Sequence, residues 1–145
     1  MFSIRDIWLE MKAVLRSARQ VLNMELEPLG ISGAEGDILF HLLTGSNHIR
    51  QEQLAARLDI GKAAVSRTVD SLEAKGYLTR VRAPEDKRAH IVSLTDKAFF
   101  VGPDVLGIYD RLFAMVRNGI DDEELIHIES VLSRVAGNLE VLGDR

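Results

Sequence analysis

The chain has no cysteine among its 145 residues, which excludes disulfides, thiol redox chemistry and thiolate metal sites. It also lacks an apolar run approaching the roughly 20 residues of a membrane span. The strongest stretches, around Ile38 to Leu43 and Ala98 to Val101, are far shorter, so no membrane association is expected. Arg5, Asp6 and Glu10 break up the first turns, which argues against a secretory signal and for a cytoplasmic location. Missing too are a Gly-x-Ser-x-Gly elbow, a glycine-rich phosphate loop and a His-Glu-x-x-His pair. His41, His48, His90 and His127 are scattered, with no two at helical ligand spacing, so neither a metal nor another cofactor is expected. Asp121 and Glu124 fit a helix N-terminus better than a hydrolytic centre, and the chain does not read as an enzyme. There is no repeat and no low-complexity segment. With 46% hydrophobic and 28% charged residues, the composition is that of an ordinary globular protein of one domain.

Positive charge is also in deficit overall, at a net −4, yet it is unevenly spread. Residues 50 to 90 hold nine basic side chains against six acidic ones, a local +3 that leaves −7 for the remainder. A basic middle between acidic flanks is the pattern of a chain that offers one face to nucleic acid.

The hydrophobic spacing is mostly helical. Ile4, Trp8, Met11, Leu15, Ala18, Leu22 and Leu26 fall on one stripe and predict a long amphipathic helix over residues 4 to 29, ended by Pro28 and Gly30. Ser32 and Glu35 form a capping box for a second helix that runs to about Gly45. Leu54, Ala55 and Leu58 mark a short third helix. After the break Asp59-Ile60-Gly61, Val65, Val69 and Leu72 mark a fourth, stopped by Gly76. Beyond it the period shortens to two. Leu78 and Val81 are expected on one side of a strand, Ala83-Pro84-Glu85-Asp86 as a turn, and Ile91, Val92 and Leu94 on the returning strand. Thr95 can cap a helix reaching Leu112 to Arg117, kinked early by Pro103 and closed by Asn118-Gly119. Asp121 and Glu124 box a last helix with the stripe Leu125, Ile128, Leu132, Val135 and Leu139.

Helix, three-residue turn, helix and two-stranded hairpin, in that order, is the layout of a winged helix-turn-helix, whose second helix enters the major groove of DNA. The fold class is therefore mainly α with a small β-hairpin wing. With Val65, Val69 and Leu72 facing inward, Lys62, Ala63, Ser66, Arg67 and Asp70 fall on the opposite side, toward the groove. Arg67 suits a bidentate contact to guanine, Lys62 a phosphate, and Ala63 a thymine methyl. The competing reading of Arg67 is a solvated arginine paired with Asp70 or Asp86. In the wing, Arg88, beside Lys87, can enter a narrow minor groove. Asp86 suits a structural role, accepting backbone hydrogen bonds in the turn and holding a neighbouring arginine. A winged helix that binds a protein partner instead of DNA is the alternative reading of the same surface.

Specific motifs narrow the choice. Leu54-Ala55, then Leu72-Glu73-Ala74-Lys75-Gly76, and above all Asp86-Lys87-Arg88 followed by Leu94-Thr95 resemble the multiple antibiotic resistance regulator (MarR) family. The likeness extends over essentially the whole chain. Two departures are Ala98, where a glycine is usual, and Gly61-Lys62-Ala63-Ala64, where hydroxyl residues are frequent. The resemblance implies a single domain over residues 1–145, with a winged helix-turn-helix lobe at 32–95 and dimerisation helices at 1–31 and 96–145. It further implies a homodimer on a pseudo-palindromic double-stranded operator, usually as a repressor. A small aromatic or anionic effector is implied as well, in a crevice near Trp8, Arg19 and His41. Arg19 stands on the apolar stripe of the first helix and needs a partner: either such an anion, or an acidic residue of the last helix across the dimer.

Overall fold

A computed structural model describes residues 1–143. The chain forms two compact units, Met1–Leu112 and a second that starts at Phe113.

The first unit opens with α1 (Ile4–Leu26), capped by Ser3 and Asp6, each of which accepts from the other's backbone N–H. A single 3-10 turn, Glu27–Leu29, follows and ends on Gly30 at φ 71°, so the first helix stops one turn before the expected limit. The Ser32–Glu35 capping box forms as its spacing predicts and starts α2 (Gly33–Thr44). Two close approaches fix α2 against its neighbours. The Gly33 N–H donates to Asn23 Oδ1 at 2.6 Å, and a Cβ at Gly36 would lie 2.5 Å from Leu26 Cδ1. Any side chain at Gly36 would force the Leu26 side chain to shift.

Next come the two-residue strand β1 (Ile49–Arg50), α3 (Gln51–Leu58) and α4 (Lys62–Ala74). Asp59, at φ 53°, turns the chain sharply between the two helices. Strands β2 (Leu78–Ala83) and β3 (Asp86–Leu94) form an antiparallel hairpin with Pro84-Glu85 at its tip and a bulge at Arg82/Ala83. The sheet has three strands rather than two, because β1 pairs with the outer side of β3 through Ile49↔Val92 and Arg50↔Ile91. One placement in the hairpin is corrected. Val81 is 58% exposed while Leu78 is buried, since residues three apart in a strand face opposite sides of the sheet.

Thr95 caps α5 (Asp96–Val116), its hydroxyl accepting from the Ala98 N–H, and the helix runs on through Pro103. The core of this unit is formed by Leu26, Ile38, Leu39, Leu42, Leu54, Val65, Val69, Leu72, Leu78, Val92 and Val105. In burying one face of α4 this core fixes which residues of that helix remain outside.

The second unit contains the end of α5 and α6 (Asp122–Gly143). Gly119 at φ 78° closes α5, and the Asp121 and Glu124 carboxylates accept from each other's backbone N–H. None of the described α6 side chains is buried; Ile128, Leu132 and Leu139 are 47%, 45% and 50% exposed. No helix among the described residues is long and apolar enough to cross a membrane.

Candidate nucleic-acid interface

The second helix of the motif, α4, begins at Gly61, which offers no side chain to cap it, and its first turn contains no acid. The first N–H groups of the helix are therefore left for an external acceptor, and an anion suits them best. The opposite end is heavily secured. Gly76 takes φ 84°, the Thr95 hydroxyl donates to its carbonyl, and the Lys97 ammonium donates to the Lys75 carbonyl at 2.6 Å. The Lys75 ammonium reaches Glu35 Oε1 at 2.7 Å and the Gly30 carbonyl at 2.8 Å. The Ser71 hydroxyl donates to the other Glu35 oxygen. Glu35 is 4% exposed, the one buried charged group of the described residues. Burial pushes its carboxyl up, but bonds from Lys75, Ser71 and Ser32 outweigh that and hold it below the usual carboxylate value. Neither Glu35 nor Lys75 was identifiable as a pair from sequence, because 40 residues separate them.

The nine basic residues between 50 and 90 sort into two groups. Arg50, Lys75 and Arg80 are held by acids: Arg50 by Glu85 and Glu52, Lys75 by Glu35, Arg80 by Asp70 and Glu73. Among the described residues Arg57, Lys62, Arg67, Arg82, Lys87 and Arg88 have no ion-pair partner, and all six are exposed. Arg67 thus pairs with neither Asp70 nor Asp86. Lys62, Ala63 and Arg67 share the exposed side of α4 with Asp70, and Ser66 is half-buried. Asp70 is already committed to Arg80. In the wing, Asp86 Oδ1 accepts from the Arg88 N–H at 2.9 Å, which closes the turn, and it holds no arginine side chain in an ion pair. Lys62 and Arg88 come together at a cleft of about 190 Å³ between α3, the start of α4 and β3.

The three residues expected near an effector are not gathered in the same way. Arg19 donates to Asp37 Oδ2 at 2.6 Å, so its partner is an acid of α2 in its own chain rather than one of the last helix. Asp37 also accepts from the Tyr109 hydroxyl at 2.6 Å, and burial together with Asp37 drives that phenol well above its usual value. His41 lies one turn beyond Asp37 on α2, with a buried Nε2 that has no hydrogen-bond partner. Trp8 sits 11 residues before Arg19, about 16 Å along α1, too far to share a small crevice within one chain.

The MarR family model matches residues 29–89, from the 3-10 turn after α1 into β3. A MarR transcriptional regulator from Methanosarcina mazei Go1 is 25% identical, with 94% of this chain and 99% of that chain covered at a TM-score of 0.81. The transcriptional regulator PA3341 is 30% identical over 92% of this chain and 98% of its own, at a TM-score of 0.80. This chain belongs to the MarR family. The MarR fold is shared as well by S. aureus MepR, solved as a DNA complex, at 19% identity and a TM-score of 0.82 over 95% of this chain and 99% of that one. The wing motif that suggested the MarR family, Asp86-Lys87-Arg88 with Leu94-Thr95, now has a physical explanation. Asp86 closes the turn, Leu94 enters the core and Thr95 caps α5, leaving Lys87 and Arg88 outside. Among the described residues no group of three or more His, Cys, Asp or Glu side chains is placed to hold a metal ion.

Proposed function

We propose that this MarR-family regulator binds double-stranded DNA sequence-specifically as a homodimer on a pseudo-palindromic operator, where it represses transcription. The observation that carries the reading is the division of the cations. Those that brace the fold are paired with acids, whereas those on the exposed side of α4 and at the wing are unpaired. An unpaired exposed cation keeps its condensing power for phosphates, and six on one lobe are enough for salt-sensitive binding. In this reading α4 enters the major groove, with Arg67 on a guanine, Lys62 on a phosphate, Ala63 on a thymine methyl and Ser66 beside them. Lys87 and Arg88 reach the adjacent minor groove.

Dimerisation is assigned to residues 1–31 and 96–145, and 32–95 form the reading lobe. Supporting this are the exposed apolar residues of α1, Ile4, Ile7, Trp8 and Leu15, and those of α6, which a second copy can cover. Release by a small aromatic or anionic effector belongs to the same proposal. Arg19 is 44% exposed at its side chain and can exchange Asp37 for a ligand carboxylate.

Selection of duplexes from a random pool by the purified protein tests the proposal. Recovery of an inverted repeat is the expected result. Failure to enrich any sequence, with capture of a protein partner instead, would favour a protein-binding winged helix.

A further inference from the structure

The cleft between α3, the start of α4 and β3 brings Arg50 and His90, to which the reading above gives no role, beside Lys62 and Arg88. It is lined by Arg50, Lys62, Arg88 and His90, with Glu52 the one acid among its lining residues. The cationic side chains of Arg50, Lys62 and Arg88, with the His90 imidazole, thus line about 190 Å³, room enough for a tetrahedral oxyanion. Arg50 is fixed in place from both sides. Its backbone pairs with Ile91 in the sheet, and its N–H donates to Gln53 Oε1 at the start of α3. Its guanidinium is turned to the wing tip, where Glu85 holds it, with Glu52 3.7 Å away on the other side. Glu85 is 60% exposed and occupies the turn between β2 and β3.

We propose that this cleft is a seat for one backbone phosphate of the DNA duplex, and that Glu85 is its built-in competitor. In the free protein the Glu85 carboxylate satisfies Arg50 and ties the wing tip to α3. When a phosphodiester enters beside Lys62 and Arg88, Arg50 exchanges the carboxylate for a phosphate oxygen, and Glu85 is released to water. A guanidinium binds both anions with the same two-pronged geometry, so the exchange needs no change of fold. Glu85 then lowers affinity for all sequences equally, because it competes with a contact that carries no base information. The proposal rests on the DNA-binding reading and adds Arg50 and Glu85 to it.

The test is fluorescence anisotropy with a mixed-sequence duplex over a range of salt concentrations, using the parent, Glu85→Gln, Arg50→Met and the double variant. Glu85→Gln should tighten binding about two- to fivefold, the range of an exposed ion pair. Arg50→Met should weaken binding and reduce the slope of log K against log salt by about 0.9 for each subunit of the dimer, the share of one phosphate per seat. In the Arg50→Met background, Glu85→Gln should no longer tighten binding. Arg50→Lys, which keeps the charge, should retain most of the slope and guards against a folding defect in Arg50→Met.

The proposal is overturned if Arg50→Met keeps the parent affinity and slope, or if the Glu85→Gln gain survives undiminished without Arg50. It is overturned as well if inorganic phosphate titrates the His90 ring resonances while Arg50→Met leaves duplex affinity unaltered, since the cleft would then serve a free anion. Base preferences that depend on Arg67, together with an inert Arg50, would remove the seat and leave DNA reading intact. Absence of any duplex binding by the parent at low salt would remove both.

Discussion

The Glu35 carboxylate at the start of α2 lies 2.7 Å from the Lys75 ammonium at the C-terminal end of α4, and it is 4% exposed. A buried carboxylate with a cation and hydroxyl donors around it is stable only while ionised, and its ordinary value is already lowered in the fold. The folded value lies below the unfolded one, so the stabilisation is present above the ordinary carboxylate range and disappears as pH falls through the folded value. Glu35→Gln should cost about 1–3 kcal/mol at pH 7, the scale of a lost charged hydrogen bond in a buried setting. It should also flatten the loss of stability as pH falls below about 4.5, the ordinary value of the group. Urea unfolding at several pH values measures both, and an unchanged acid slope in the variant would show that the pair does not govern it.

The two arginines at the proposed interface should leave different traces. Arg67→Ala should cost about 1–3 kcal/mol on the best site and relax preference at one base pair in each half-site. Arg88→Ala should weaken binding more evenly, lose affinity for A·T-rich flanks and reduce the salt slope by about 1 for each wing. Both side chains are exposed, so both variants should unfold at the parent temperature. Quantitative binding to a panel of single-base operator variants separates them. An Arg67→Ala protein with every base preference intact would assign the reading to other residues.

Arg19→Met keeps the bulk and removes the charge that pairs with Asp37. Because the pair is partly exposed, its loss should cost at most about 1 kcal/mol. If aromatic carboxylates release the protein from DNA, that release should be lost in Arg19→Met while DNA affinity persists. Anisotropy competition with a series of aromatic carboxylates is the measurement. Equal release of the parent and the variant would show that Arg19 serves only Asp37.

The full chain, of 16.2 kDa, should sediment at twice that mass. Removal of residues 121–145 deletes α6 and its exposed apolar residues, and the shortened chain should aggregate or unfold because α1 still presents its own. A soluble, folded monomer after that truncation would contradict the dimer.

Local signals were legible in the sequence wherever a few neighbouring residues decide the outcome. Ser32 with Glu35, Asp121 with Glu124, and the left-handed Gly76 and Gly119 are of this kind. The inward face of α4 was legible too, since Val65, Val69 and Leu72 leave no other way to bury it. Strand β1 was not, because two residues are too few to show a period and its pairing partner lies 43 positions on, at Val92. The hairpin misled at Val81, where hydrophobicity overrode the two-residue period. Long-range pairing was opaque as well: nothing local tells that Asp70 belongs to Arg80, Arg19 to Asp37, or Arg50 to Glu85. That sorting of paired from unpaired cations, invisible in the sequence, is what defines the candidate interface.

Helix α4 is secured at its C-terminal end by Lys75, Lys97 and Thr95, while at its N-terminal end no side chain caps it and Lys62 and Ala63 are exposed. Over evolutionary time this separates address from architecture. Substitutions at exposed positions 62, 63 and 67 touch nothing that holds the lobe together, and exposed changes of that kind usually shift stability by only about 0.5 kcal/mol. If α4 reads DNA as proposed, a duplicated copy of this gene can therefore acquire a new operator in a few mutational steps without first accumulating compensating changes in its core. Divergence is constrained instead at Glu35 and Lys75, where either half changed alone leaves its partner without a counter-charge.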